Sequence, residues 1–420
     1  MRARQILMVV AVLCVAVCPL YSQTRAGTGE WPQWRGPERT GRSSETGLLK
    51  AWPEGGPRKI WSVGGLGEGY SGISVKDGRI YTMGTSGGGE AVFALNFSDG
   101  KKLWTQKSSD RVFTEKRGNG PRCTPTTDGK YLYTEDALGN VTCWEAADGK
   151  RVWQVSLTQD LGGRVPNWGY SESPLIVGRA VVVTPGGRKG AIAALNKKTG
   201  QVIWQSPDAH HQAAYSSPIL VTVRGKPQII NMTATGPRVG RSRQGTMIGV
   251  DAENGKLLWE FSKGVAPIVC CTPVYHEGLV VATSDYRAGT GAADISGGSA
   301  REAWFIERRG SHHGGVIRVG DHLYGFIDRL TCIKFKTGEI AWSDPSVGKG
   351  SLTYADGHFY CLGEKQGVAL VEATPEGYRE KGRFRIPDSG RPSWAHPVVV
   401  GARLFIRDQD TLTCWDVKAK

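Results

Sequence analysis

The sequence predicts an all-β chain, an eight-bladed β-propeller of four-stranded antiparallel blades closed by its N-terminal strand pairing with the C-terminal blade. Three observations carry this. An eleven-residue motif recurs five times in one register, and a second strand-pair signal recurs between the copies. Half a motif also stands at the C-terminus, and its missing strand lies near the N-terminus. Composition agrees, because 58 Gly, 14 Trp and only 5 Met in 420 residues leave little material for long helices. Turn pairs recur at 77–78, 99–100, 128–129, 148–149, 254–255 and 356–357. Chain length alone would suggest two or three domains, but in-phase repeats overrule that prior.

In chain order, Arg2 and Arg4 precede an apolar run from Ile6 to Leu20, and polarity returns at Tyr21, Ser22 and Gln23. That is the layout of a secretory signal peptide over residues 1–22, and the run is short for a membrane span. The expectation is an exported protein, periplasmic or extracellular; a retained anchor is the alternative. A lipoprotein is disfavoured because Leu13 and Val17 precede Cys14 and Cys18 where a small residue is expected. No later stretch is long and apolar enough to cross a bilayer. Residues 23–56 read as an N-terminal extension packing on the propeller, and 57–420 as a single propeller domain.

The motif copies are ALNFSDGKKLW ending at Trp104, CWEAADGKRVW at Trp153, ALNKKTGQVIW at Trp204, GVDAENGKLLW at Trp259 and CIKFKTGEIAW at Trp342. Each opens on a small residue (Ala94, Cys143, Ala194, Gly249, Cys332), with Gly six positions on and Trp four further. This is a hairpin: a strand end, a tight turn with Gly where φ is positive, and the start of the next strand. A small residue opposite an indole suits close packing. A degraded copy, SGGSAREAW, ends at Trp304, and ALVEATPEGYREKGRF keeps the strands without the Trp.

Between the hairpins runs a small-residue strand start, a turn and an aromatic-rich strand, as in SESPLIVGRAVVV, CCTPVYHEGLVV, GGVIRVGDHLYG, GSLTYADGHFYC and AHPVVVGARLFI. Together the two units make four strands, the content of one blade. The last set stops at LTCWDVKAK, before its Gly and Trp, and GPRKIWSVGG around Trp61 supplies the strand it lacks. Sharing one sheet between the two ends would remove the free strand edges that invite aggregation. The count is eight blades, or seven if the degraded copies form no separate sheet.

Cys123, Cys143, Cys270, Cys271, Cys332, Cys361 and Cys414 remain after export, an odd number that leaves at least one thiol free. Cys143, Cys332 and Cys414 occupy one motif position in different blades, too far apart to be bridged, and read as small buried hydrophobes. No Cys-x-x-Cys or His-x-x-x-His spacing suggests zinc, and no metal site is expected. The net charge is +14, yet no nucleic-acid module is present, so no nucleic-acid partner is expected. Arg238, Arg241 and Arg243 read as a solvated loop, or as a contact for anionic lipid or polysaccharide.

The A/C-x-N/D-x-x-T/D-G-x-x-x-W motifs resemble the tryptophan-docking motifs of pyrroloquinoline-quinone (PQQ)-type propellers. That family includes quinoprotein dehydrogenases and BamB-like subunits of the outer-membrane protein assembly machinery. WPQWRGPERTGRSSETGLL, NWGYSESPL, SHHGGVIRVGDHLYG and LTYADGHFYCLGE are similar to exported PQQ-like proteins of environmental bacteria.

Unusual side chains gather in the segments entering the first strand of each blade. They are Arg122, Trp168, Tyr170 and Glu172, His210 and His211, Cys270 and Cys271, His312 and His313, Trp394 and His396. Equivalent positions in successive blades face one end of the central channel, so these residues are expected to line one ligand-binding funnel. The resemblance likens Cys270-Cys271 to the vicinal cysteine pair beside the quinone in some dehydrogenases, and Trp168 to a stacking residue. The Glu, Asn and Asp set that binds calcium and supplies the base in those enzymes has no convincing counterpart.

No catalytic residue is therefore assigned. The leading expectation is a non-catalytic exported binding or assembly scaffold of the cell envelope, monomeric, with a protein or envelope component as partner. A PQQ- and calcium-dependent oxidoreductase of an alcohol or sugar is the first alternative, and a carbohydrate-binding propeller the second.

Overall fold

The computed structural model describes residues 29–234 and 244–420. The expected leader over 1–22 and the arginines at 238, 241 and 243 lie outside the described residues. Thirty-two strands among the described residues form eight four-stranded antiparallel sheets arranged as a ring of blades. Blades 1 to 7 span 74–109, 126–156, 175–205, 219–261, 274–306, 311–344 and 350–385, each running from inner to outer strand in chain order. Blade 8 takes its three inner strands from 398–416 and its outer strand from Lys59–Val63. Trp61 stands opposite Cys414 there, so the two ends of the chain share one sheet, as the half motif required.

The apolar interior is divided into eight buried clusters, one between each pair of neighbouring blades, rather than one central core. The repeated motif explains this. Within a blade the small residue is the cross-strand partner of the Trp: Ala94 faces Trp104, Cys143 faces Trp153, Ala194 faces Trp204 and Cys332 faces Trp342. A bulge follows each of these pairs, which turns the indole toward the next blade.

There the indole meets the motif Gly of that neighbour. A Cβ on Gly149 would lie 2.7 Å from the Trp104 ring, on Gly200 2.9 Å from Trp153, and on Gly255 2.4 Å from Trp204. The motif Gly thus does two things: it takes a φ of 73–77° at these three turns, and it leaves room for the indole of the preceding blade. The indole N–H finishes the contact by donating across the interface, from Trp153 to Lys197 O at 3.1 Å and from Trp342 to Thr374 O at 3.0 Å. Trp259 differs, donating to Gln228 Oε1 in its own blade. The turns themselves hold four residues, closed for instance by Asn96 N–H to Lys101 O, rather than the two of a minimal Asp-Gly hairpin.

Residues 31–43 run through the channel and meet the inner strand, or the residues leading into it, of all eight blades. Trp31 bridges to Val75 in blade 1, and Thr127 of blade 2 donates to Pro32 O. Arg39 donates to Ser173 O and Pro174 O ahead of blade 3 and to Pro218 O ahead of blade 4. Trp34 Nε1 donates to Thr272 Oγ1 ahead of blade 5, and Arg35 to Val316 O in blade 6. Gly41 and Ser43 exchange hydrogen bonds with Tyr354 of blade 7, and the Trp34 ring lies 4.5 Å from that of His396 ahead of blade 8.

Arg35 and Arg39 are buried, and burial lowers their pKa values to about 10 and about 9. They stay charged at neutral pH because strand-end carbonyls that would otherwise lack donors surround them.

Candidate functional site

The segments that lead into the inner strands converge on one end of the channel, where they form an open-mouthed cavity lined in part by Trp34. Seven of the twelve expected residues line it: Arg122, Trp168, Cys270, His312, His313, Trp394 and His396. Trp168 packs edge-on against Tyr215 at 5.7 Å, and Trp394 lies tilted against Tyr70 at 4.6 Å. Arg122 lies over Tyr70 and Phe113 and donates to Gly118 O at 2.9 Å, with Glu115 at 3.5 Å.

The other five do not line the cavity. Tyr170 is buried between blades 2 and 3, its hydroxyl donating to Pro185 O at 2.9 Å. Glu172 is buried with both oxygens committed, one to Thr184 N–H at 2.7 Å and the other to the Asn231 amide at 3.1 Å. Cys271 lies behind Cys270, its thiol 3.4 Å from Ser311 O. His210 is exposed, and His211 turns outward to Glu260 at 3.1 Å. Alternation of extended chain accounts for three of these, since Ser171, Ser173 and Cys270 line the cavity and their neighbours Tyr170, Glu172 and Cys271 face away from it.

Further wall residues carried no such signal in the sequence. Trp34 reaches the cavity from the channel-crossing segment. Tyr70, Arg117 and Tyr215 come from irregular stretches between blades, and Tyr286 from the turn between strands Leu279–Ser284 and Gly289–Asp294 of blade 5. Tyr70 and Tyr215 stand in the same pre-strand position as the expected residues, and that equivalence would have revealed them. Glu364 was also missed. It accepts from Trp394 Nε1 at 2.7 Å and lies 3.4 Å from His313 Nδ1.

Electrostatically the cavity favours neutral histidines. Burial pushes His396 down to about 3, and His312 down to about 4, helped there by Lys349. Burial raises Cys270 to about 12 and Cys271 to about 11, so both remain thiols at neutral pH and neither is an activated nucleophile. A quinone held by calcium needs six to eight oxygen donors around the ion. Among the described lining residues none is Asp, Glu, Asn or Gln, and Glu172 is already saturated. The donor set therefore does not fit that cofactor.

A family model described as outer membrane protein assembly factor BamB matches residues 90–344. The chain is 24% identical over 355 residues to the outer membrane protein assembly factor BamB of Yersinia pestis, covering 73% of this chain and 88% of that one. It is also 24% identical over 249 residues to a polyvinylalcohol dehydrogenase of Pseudomonas sp, covering 54% of this chain and 38% of that enzyme. Among solved structures, BamB from Moraxella catarrhalis superposes with a TM-score of 0.61 at 14% identity, covering 86% of this chain and 98% of that one.

Proposed function

Because the chain belongs to the PQQ-like propeller family described as outer membrane protein assembly factor BamB, we propose that it is an exported, non-catalytic scaffold of the cell envelope that binds a segment of a partner protein in its funnel. One observation carries this reading. The funnel is walled by Trp34, Trp168, Trp394, Tyr70, Tyr215 and Tyr286, carries Arg117 and Arg122, and has no acidic side chain in its described lining.

Such a surface suits an extended peptide with aromatic and acidic side chains. Aromatic walls supply apolar contact at low entropic cost, and the guanidinium groups pair with carboxylates. No helix among the described residues is long and apolar enough to cross a membrane.

The test places a photo-crosslinking side chain at Trp168 and, as a control, at exposed Glu253, and irradiates the protein in envelope fractions. Adducts with a discrete set of envelope proteins at 168 and none at 253 are expected. Equal labelling at both positions would sink the proposal, as would dye-linked alcohol oxidation after incubation with PQQ and calcium.

A further inference from the structure

Where strand Ser311–Val319 enters blade 6, Ser311 pairs with Ile327 but Val316 pairs with Gly325, so five steps on one strand meet two on its neighbour. Regular pleating would send His312 and His313 to opposite faces. The extra residues, with Gly315 at a φ of 64°, cancel that alternation. Both rings turn to one point, their Nδ1 atoms 3.3 Å apart. Glu364, just past strand His358–Gly363 of blade 7, brings its Oε1 to 3.4 Å from His313 Nδ1 and 3.9 Å from His312 Nδ1.

We propose that His312, His313 and Glu364 bind a divalent ion of the zinc type, with a fourth coordination position open to the funnel. A tetrahedral ion about 2.1 Å from each ligand spaces those ligands about 3.4 Å apart, which the observed triangle of donors approximates. Two imidazole nitrogens and one carboxylate oxygen suit zinc and its neighbours rather than calcium or magnesium.

The surrounding residues orient the ligands as a metal site requires. Tyr286 hydroxyl and His312 Nε2 lie 3.0 Å apart, which leaves Nδ1 for the ion, and Trp394 Nε1 holds the carboxylate. His312, His313 and Trp394 all line the funnel, so a carboxylate or water there would complete the coordination.

The test uses untagged protein stripped with a chelator. Zinc is titrated calorimetrically against a competing chelator, and cobalt is added as a spectroscopic probe. One zinc ion per chain at submicromolar affinity is expected, together with the intense visible bands of tetrahedral cobalt. His312→Ala and Glu364→Gln should each weaken zinc binding at least about tenfold, the lower bound for disturbing even the supporting residues of such a site. Glu364→Gln keeps an acceptor for Trp394 and is the deciding variant should His312→Ala fail to fold. Zinc affinity weaker than about 100 µM, or affinity unchanged in a folded Glu364→Gln protein, would overturn the assignment; an affinity of about 100 µM corresponds to only about 5.5 kcal/mol.

Discussion

His396 is held neutral by its surroundings: burial and the nearby Arg35 depress its pKa to about 3, opposed by a hydrogen bond to His313 O at 3.0 Å. The unfolded chain takes up this proton near pH 6.5 and the folded one does not. The associated stability is therefore complete above about pH 6.5 and is lost as pH falls toward 3, by up to about 1.4 kcal/mol per pH unit. Glu90 and Glu172, raised to about 7 mainly by burial, act in the opposite sense between about 4.5 and 7. The difference between two proteins isolates the histidine. Urea midpoints measured from pH 7.5 to 4 should fall less steeply for His396→Gln, whose amide can still donate to His313 O, than for the parent; parallel curves would refute the assignment. At this scale the sequence revealed that His, Trp, Arg and Cys would gather before the inner strands. It did not reveal which of these residues face the channel, because that depends on local pleating.

The hairpin element was the most legible feature, since its spacing encodes both a turn and a docking surface. What the pattern concealed was direction: the small residue lies across from the Trp of its own blade, and the Gly receives the Trp of the preceding one. Two glycines separate these roles. Gly255 and Gly78 have similar φ values, 73° and 70°, but a Cβ would lie 2.4 Å from Trp204 at the first and meet nothing within 4 Å at the second. Gly78→Ala should cost about 1 kcal/mol from backbone strain alone, whereas Gly255→Ala should cost roughly 2–4 kcal/mol once overpacking is added. Denaturant unfolding of the two variants checks this. Glu364 escaped notice for a related reason. It stands 51 residues beyond His313 on a different blade, and local spacing rules do not reach across a blade interface.

Closure of the ring depends on more than the shared sheet. Arg407 of blade 8 is buried and donates to Thr82 Oγ1 and Met83 O of blade 1, both at 2.6 Å, and to Gln409 O at 2.9 Å. Arg407→Met would leave those acceptors without their donors and should cost about 3 kcal/mol. Hydrogen exchange should accelerate first in strands Lys59–Val63 and Arg403–Asp408, beside the seam between blades 8 and 1. Uniform acceleration around the ring would contradict this. Blade number and ring closure were both readable from the repeats. The course of residues 31–43 was not, because its anchors are mostly backbone carbonyls and its own residues carry no strand periodicity.

That thread through the channel also has a temporal consequence. The residues that join all the blades leave the ribosome before any blade exists, yet their last partner, His396, is made only after seven blades have been synthesised. Contacts so distant along the chain form slowly, because each must first overcome the entropy of a long loop. Nascent chains should therefore stay open and sensitive to protease until the final blade emerges, and then harden in a single late step.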